Sequence, residues 1–484
     1  MRSDTQSACD ARDEAPAAHN GPFDIGGARM IGKVIEYIDA HRNEYVDRLK
    51  DFLRIKSIST DPAVKAETRK AGEWVLKLLK DAGLKTEMIE TPGHPSVFAH
   101  ADGGKGPTVL VYGHYDVQPT GDESLWKSPP FEPTVRDGSL FARGSADDKG
   151  QAACHLFAIE AWMKAAGRLP GPVKVLIEGE EEISSPNLET VIRSNREKLA
   201  CDYIVLSDTS KFNKTIPAIT YGTKGLVYKE ITLYGPKQDL HSGSFGGTVT
   251  NPGNALAHII ASMKDPVTNR VLIPGFYDDV LEMDDDEKGK MLGLPFDELK
   301  FREDVGVNMT NGEHGYNTVE RKWVRPTLDV NGILCGFTGQ GGSTIIPSKA
   351  MAKVSMRLVP NMNPRKIYQA FDETVHLLAP QGVRIEIKTF GCAAPYMCPL
   401  SSPAMKAAAA AVESGYGVAP AFIREGGSLP ILPMFKEVLG AESIMMGFCD
   451  PNCNAHGPNE FFDLDDLHKG IRSAAQFLEK MAKG

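Results

Sequence analysis

The sequence predicts an α/β protein: a mostly parallel sheet with helices on both faces, plus an inserted α+β domain. Three observations carry this. From Ser57 to about Ile216, short apolar runs of strand length alternate with longer helical patterns. From Ala218 the pattern changes to alternating strands separated by glycine turns. Helical sequence rich in Ala, Val and Met returns near Pro403. With 484 residues the chain is also longer than one ordinary core encloses. The expected division is a tail over 1–30, a first domain over 31–217, an insert over 218–392 and a return to the first domain over 393–484.

The elements follow in order. Residues 1–30 are polar, with no apolar stretch of the kind a secretory signal needs, and read as a disordered tail or as an added or misassigned start before Met30. Ile31–Ile55 spaces its apolar residues at helical intervals, as does Lys70–Leu84. TVLVYGHYDV is a strand, KGQAACHLFAIEAWMKAAG a helix, PVKVLIEG a strand, NLETVIRSNREKL a helix and DYIVLSD a strand. In the insert, ITYGTKGLVYKEITLYG reads as strands and NPGNALAHIIASMKD as a helix, followed by a long polar stretch containing DDDEKGK. The strands RPTLDVNGI and AKVSMRLVP, the helix PRKIYQAFDETVHLLA and the strand RIEIKTF complete it. No internal repeat is evident.

Hydrophobic residues make up 42% and charged residues 24%, as in ordinary soluble domains. A net charge of -9 argues against a nucleic-acid partner. No apolar run reaches the roughly 20 residues that span a bilayer. Eight cysteines without regular spacing fit reduced thiols in a cytoplasm.

Several apolar strands run into acidic or histidine residues. TVLVYG leads to His114 and Asp116, VKVLIEG to Glu180, Glu181 and Glu182, YIVLS to Asp208, and ESIMMGF to a loop bearing His456. Open α/β sheets build their sites beyond the carboxyl ends of strands. Asp147, just before a helix, can face the same space. Singly, each has a structural alternative: a surface pair for His114 and Asp116, a solvated loop for the Glu run, a helix cap for Asp147 and Asp148. Jointly, two histidines and three carboxylates suffice for two divalent ions with one carboxylate bridging. Mixed imidazole and carboxylate ligation suits zinc, with manganese or cobalt as alternatives. Cys449, Cys453 and His456 also resemble part of a structural zinc clip, but no CxxC partner lies nearby.

The segments GHYDVQP, ARGSADDKGQ, EGEEEISSPN, LSD, DLHSG, RLVPNM, REGGSLP and AHGPNE, in this order, resemble the M20 metallopeptidase family, and within it the cytosolic nonspecific dipeptidase (carnosinase-like) branch. The resemblance covers nearly everything after Ile31. It implies that His114 and Asp208 hold one metal, Glu182 and His456 the other, and that Asp147 bridges them. It implies that Asp116 orients His114 and that Glu181 is the general base, acting on a metal-bridging water. Asp at 208, where deacetylases and carboxypeptidases of the family carry Glu, implies a substrate with a free amino end. His241 in DLHSG matches a histidine that stabilises the oxyanion in a partner subunit, which makes the insert a lid and dimerisation domain and the protein a homodimer. Arg357, Thr344, Ser428 and Glu425 match the substrate-binding set, in which an arginine fork suits a carboxylate. A cis peptide is expected between Asp147 and Asp148. EISS, where relatives often have a glycine, and the cysteine-rich CDPNCNAHGPN depart from the family pattern without removing a ligand or the base.

The expected function is thus a two-metal peptidase acting on dipeptides or other small peptides. A deacylase or carbamoylase of the same family, acting on N-blocked amino acids, is the alternative. A non-catalytic dimeric binding protein is disfavoured by the complete set of ligands and base.

Overall fold

The structure, a computed structural model, describes residues 25–483. Residues 1–24 of the expected tail lie outside the described residues, but the rest of it is helical, because the first helix runs Ile25–Ala40. Once the amphipathic stretch from Ile31 is helical, each residue added to it gains a backbone bond at little cost.

The large sheet has nine strands among the described residues. Across it lie Lys85–Ile89, Ser96–Ala101, Val173–Glu178, Val109–His114, Tyr203–Leu206, Glu442–Gly447 and Ala218–Thr223, with Tyr396–Met397 and Ala421–Glu425 both pairing the last. The middle four, from Val173–Glu178 to Glu442–Gly447, run parallel to one another. Their sequences are continuous apolar runs because both faces are covered: every residue of Val109–His114 is buried. The helices Lys149–Ala166, Pro403–Tyr416 and Leu464–Lys483 pack together, whereas Ile431–Leu439 packs on Leu188–Ser194; both groups touch the strand Glu442–Gly447. Leu464–Lys483 buries Leu467, Ile471, Ala474, Leu478 and Met481, one stripe at helical spacing. Lys149–Ala166 is buried nearly all round through Trp162 and ends at Gly167, whose φ of 71° is the left-handed conformation glycine adopts without penalty.

The second sheet is antiparallel, ordered Thr327–Cys335, Lys349–Leu358, Gly225–Tyr234, Arg384–Ala393. Burial alternates residue by residue along Lys349–Leu358, so one face packs inward, under the helices Pro252–Ser262 and Pro364–Leu378. This sheet has its own core, including Val227, Ile231, Val354, Met356, Ile367 and Phe371. Its first strand starts at Gly225. Ala218–Thr223, expected to open the insert, is instead a strand of the large sheet and is buried throughout. The apolar pattern runs on through Lys224 without a break, so periodicity alone cannot mark where the chain changes sheets.

Candidate metal centre

Because the four middle strands are parallel and adjacent, their carboxyl ends share one edge of the sheet. Across that edge the chain delivers the Glu180–Glu182 run, His114 with Asp116, Asp208, and the loop to His456. Asp147 enters just before the buried helix, joined by a cis peptide to Asp148, its N-cap residue. Gly113 permits the approach: a Cβ there would stand 2.8 Å from Asp148 Oδ2, which accepts the His114 main-chain N–H.

Two groups of ligand-type atoms result, each within 4.8 Å: His114, Asp147 and Asp208, and Asp147, Glu182 and His456. Asp147 belongs to both. His114 Nε2 lies 3.2 Å from Asp147 Oδ1 and 4.0 Å from Asp208 Oδ2. His456 Nε2 lies 2.8 Å from Asp147 Oδ2 and 3.3 Å from Glu182 Oε2. Neither group includes Cys449 or Cys453. Cys449 and Cys453 are buried against each other, with sulfurs 3.8 Å apart.

Hydrogen bonding distinguishes the three glutamates. Glu180 accepts from the His94 main-chain N–H at 2.9 Å and, through both oxygens, from Asn187 Nδ2, so it ties down neighbouring loops. Glu182 faces His456 and accepts from Gln118 Nε2 at 2.8 Å. The Glu181 carboxylate takes no hydrogen bond among the described residues. Burial raises its pKa well above the usual carboxylate range, and the charges of Asp208, Glu182 and Asp147 add to this against His114. Asp116 serves both sides of the site. Its main-chain oxygen accepts from His114 Nδ1 at 3.1 Å, and its carboxylate accepts the main-chain N–H groups of Glu181 and Glu182 at 3.2 and 3.1 Å. At the EISS departure, Ser184 and Ser185 both take left-handed backbone, φ 69° and 49°, the conformation a glycine would adopt freely. Ser185 Oγ donates to Glu178 at 2.9 Å.

The residues fit divalent cations. His114 Nε2 and Glu182 Oε1 are buried without a hydrogen-bond partner. Burial, the charge of Asp147 and that of Glu182 push the Asp208 carboxyl up, against His114 and His456. The carboxylates of Asp147 and Glu182 push His456 up to about 10. So much negative charge in a buried space calls for cations, and the nitrogen and oxygen donors suit divalent ions.

The other expected site residues form two further groups. Arg357 Nη1 donates to Ser428 Oγ at 2.9 Å, and Glu425, its carboxyl raised by burial against the opposing Lys322, ends the strand that leads to Ser428. Exposed His241 pairs with Ile345 in a two-stranded ribbon that sets it beside Thr344, whose carbonyl accepts the Ser242 N–H at 2.9 Å. Among the described residues no hydrogen bond joins either group to the carboxylate cluster. Sequence reading missed Gln118, Arg143 and Glu460. All three stand inside the motifs GHYDVQP, ARGSADDKGQ and AHGPNE, but their roles lie in hydrogen bonds between distant segments.

Residues 110–480 match the peptidase family M20/M25/M40. The Cys-Gly metallodipeptidase dug1 of Schizosaccharomyces pombe is 32% identical over 93% of this chain and 98% of its own. The human Beta-Ala-His dipeptidase is 29% identical over 94% of this chain and 93% of its own. Among solved structures, the M20 family metallo-carboxypeptidase Sso-CP2 from Sulfolobus solfataricus superposes with a TM-score of 0.81 at 35% identity, covering 91% of this chain and 100% of that one. Human carnosine dipeptidase 1 superposes with a TM-score of 0.77 at 28% identity, covering 94% and 99%. With most of its length matched by the family and by full-length relatives, the chain belongs to the peptidase family M20/M25/M40 and is a metal-dependent hydrolase.

Proposed function

We propose that this hydrolase is a dizinc dipeptidase, cutting dipeptides or other small peptides that carry a free amino end. One observation carries the reading: two histidine–carboxylate groups share Asp147 at one sheet edge, beside Glu181, whose carboxylate takes no hydrogen bond among the described residues. His114 and Asp208 would hold one ion and Glu182 and His456 the other, with Asp147 common to both groups. When bound, the ions lower the pKa of water and polarise the scissile carbonyl. Glu181 takes the proton of the attacking water and returns it to the leaving amine. Asp116 holds the His114 ring and the main chain of both glutamates in place. The Arg357 fork, with Ser428 beside it and Glu425 and Thr344 nearby in role, receives the substrate carboxylate.

Hydrolysis of an unblocked dipeptide compared with its N-acetylated form tests this. The free dipeptide should react at least about 10–10²-fold faster, the scale of a lost hydrogen bond to a charged group. The likeness to a metallo-carboxypeptidase favours a second reading, in which the N-blocked dipeptide reacts as fast and releases its carboxyl-terminal residue. Release of acetate instead would identify a deacylase.

The segment around the second sheet serves as lid and dimer interface. Its edge strand Thr327–Cys335 pairs on one side only and exposes Val330, Ile333 and Leu334, an apolar edge suited to a second copy. His241 Nδ1 accepts from the N–H groups of Gly243 and Ser244, which leaves Nε2–H as a donor for an oxyanion in the partner subunit. Mixing Glu181→Gln chains with His241→Ala chains should restore part of the activity, because one site of the heterodimer is then whole. Removing such a donor costs about 10²–10³-fold in turnover, so restoration is easily read. No restoration after proven subunit exchange would place His241 in its own chain's site. The scattered thiols support a cytoplasmic location. Among the described residues, no helix is long and apolar enough to cross a membrane.

A further inference from the structure

Glu460 is fully buried and belongs to neither group of ligand-type atoms, yet its carboxylate is saturated. Oε1 accepts the main-chain N–H groups of Ala146 at 2.8 Å and Asp147 at 3.1 Å. Oε2 accepts the Gly144 N–H at 2.9 Å and Arg143 Nη1 at 2.6 Å. Arg143, 1% exposed, donates through Nη2 to the carbonyls of Pro119 at 3.1 Å and His456 at 3.0 Å. Its guanidinium lies 5.4 Å from the Trp126 ring centroid. Pairing of Phe461 with Phe141 in a small three-stranded sheet brings the two segments together.

One ion pair therefore grips three loops: the turn carrying Asp147, the loop carrying His456, and the loop of Pro119, next to the Gln118 that holds Glu182. A buried ion pair is costly to desolvate and is tolerated where its groups are hydrogen-bonded; here the carboxylate accepts four bonds and the guanidinium donates three, with Arg143 Nε left without a partner among the described residues. Lysine could not replace Arg143, because a compact ammonium lacks the planar fork that reaches a carboxylate and two carbonyls at once.

We infer that Arg143 and Glu460 are positioning residues that set the separation of Asp147 from His456, and so the affinity of the metal site to which His456 contributes. The inference rests on the reading of Asp147, Glu182 and His456 as one ligand set. The two arms of the pair act differently. Arg143 holds the His456 carbonyl and makes no hydrogen bond to His114 or Asp208. Glu460 holds the main chain of Asp147, which both sites share.

The test is calorimetric titration of Zn²⁺ into metal-stripped full-length protein, with thermal melting of each apo variant alongside. Arg143→Lys should weaken one of two binding events by about 10–100-fold, the usual cost of losing a ligand's outer partner, and move the other by no more than about twofold. Glu460→Gln turns an amide nitrogen toward backbone donors that need an acceptor. It should weaken both events, and it carries the test if Arg143→Lys does not fold. A purely structural pair would lower the apo melting temperature and leave the binding events of the folded protein unchanged, which would overturn the inference. His456→Ala separates the two failures. If it removes one event while Arg143→Lys moves neither, the positioning role alone fails. If it removes none, the ligand assignment itself fails, and the inference with it.

Discussion

Glu181→Gln is expected to lower turnover by about 10²–10⁴-fold while both ions still bind, the scale of a lost general base. Glutamine keeps the volume of the side chain but cannot take a proton. Among the described residues the Glu181 carboxylate has no hydrogen bond to lose, so the substitution should not disturb its surroundings. The substitution one residue on has a different expected result. Glu182 faces His456 at 3.3 Å and accepts from Gln118, so Glu182→Gln should weaken one metal site and leave the proton-transfer group in place. Metal content after dialysis, measured beside kcat for both variants, distinguishes them. Full metal occupancy in Glu182→Gln together with metal loss in Glu181→Gln would exchange the two roles.

Removing Asp147 should have the larger effect. It is the one residue common to both groups, 3.2 Å from His114 and 2.8 Å from His456. Asp147→Ala should therefore drain both ions, with a loss of activity of about 10³–10⁵-fold if the ions contribute several kcal/mol to the barrier and each factor of ten is worth about 1.36 kcal/mol. Asp208→Ala, which touches one group only, should lose one ion. Chelation of the unmodified enzyme should reproduce the Asp147→Ala loss, and added Zn²⁺ should reverse it. Elemental analysis and turnover on the same samples check all three. Full activity in metal-free protein would remove the two-metal reading altogether.

The motifs made the candidate centre legible because its logic is local and repeated. An apolar strand ending in a histidine or carboxylate can be read off one segment. Parallel alternation then puts all such ends at the same edge, since a right-handed crossover returns the chain to start the next strand at the opposite edge. His114, Glu182, Asp208 and His456 converge for that reason, with Asp147 brought in just before the buried helix, and composition alone would not have found them. The pairing of Arg357 with Ser428 was within reach of motif likeness, though not of spacing, because it joins a strand of one sheet to a loop of the other.

By itself, then, the sequence determined the α/β class, the parallel edge where the chemistry gathers and the residue types delivered there, since each follows from periodicity within one segment. Only the tertiary structure decided which partners each glutamate of the Glu180–Glu182 run takes, because Asn187, Gln118 and His456 reach those carboxylates from separate segments. It alone put Ala218–Thr223 in the large sheet, where its pairing depends on strands that follow it by many residues. It alone paired Arg143 with Glu460, because a buried charge needs its partners through space, and no pattern along the chain records where those partners fold.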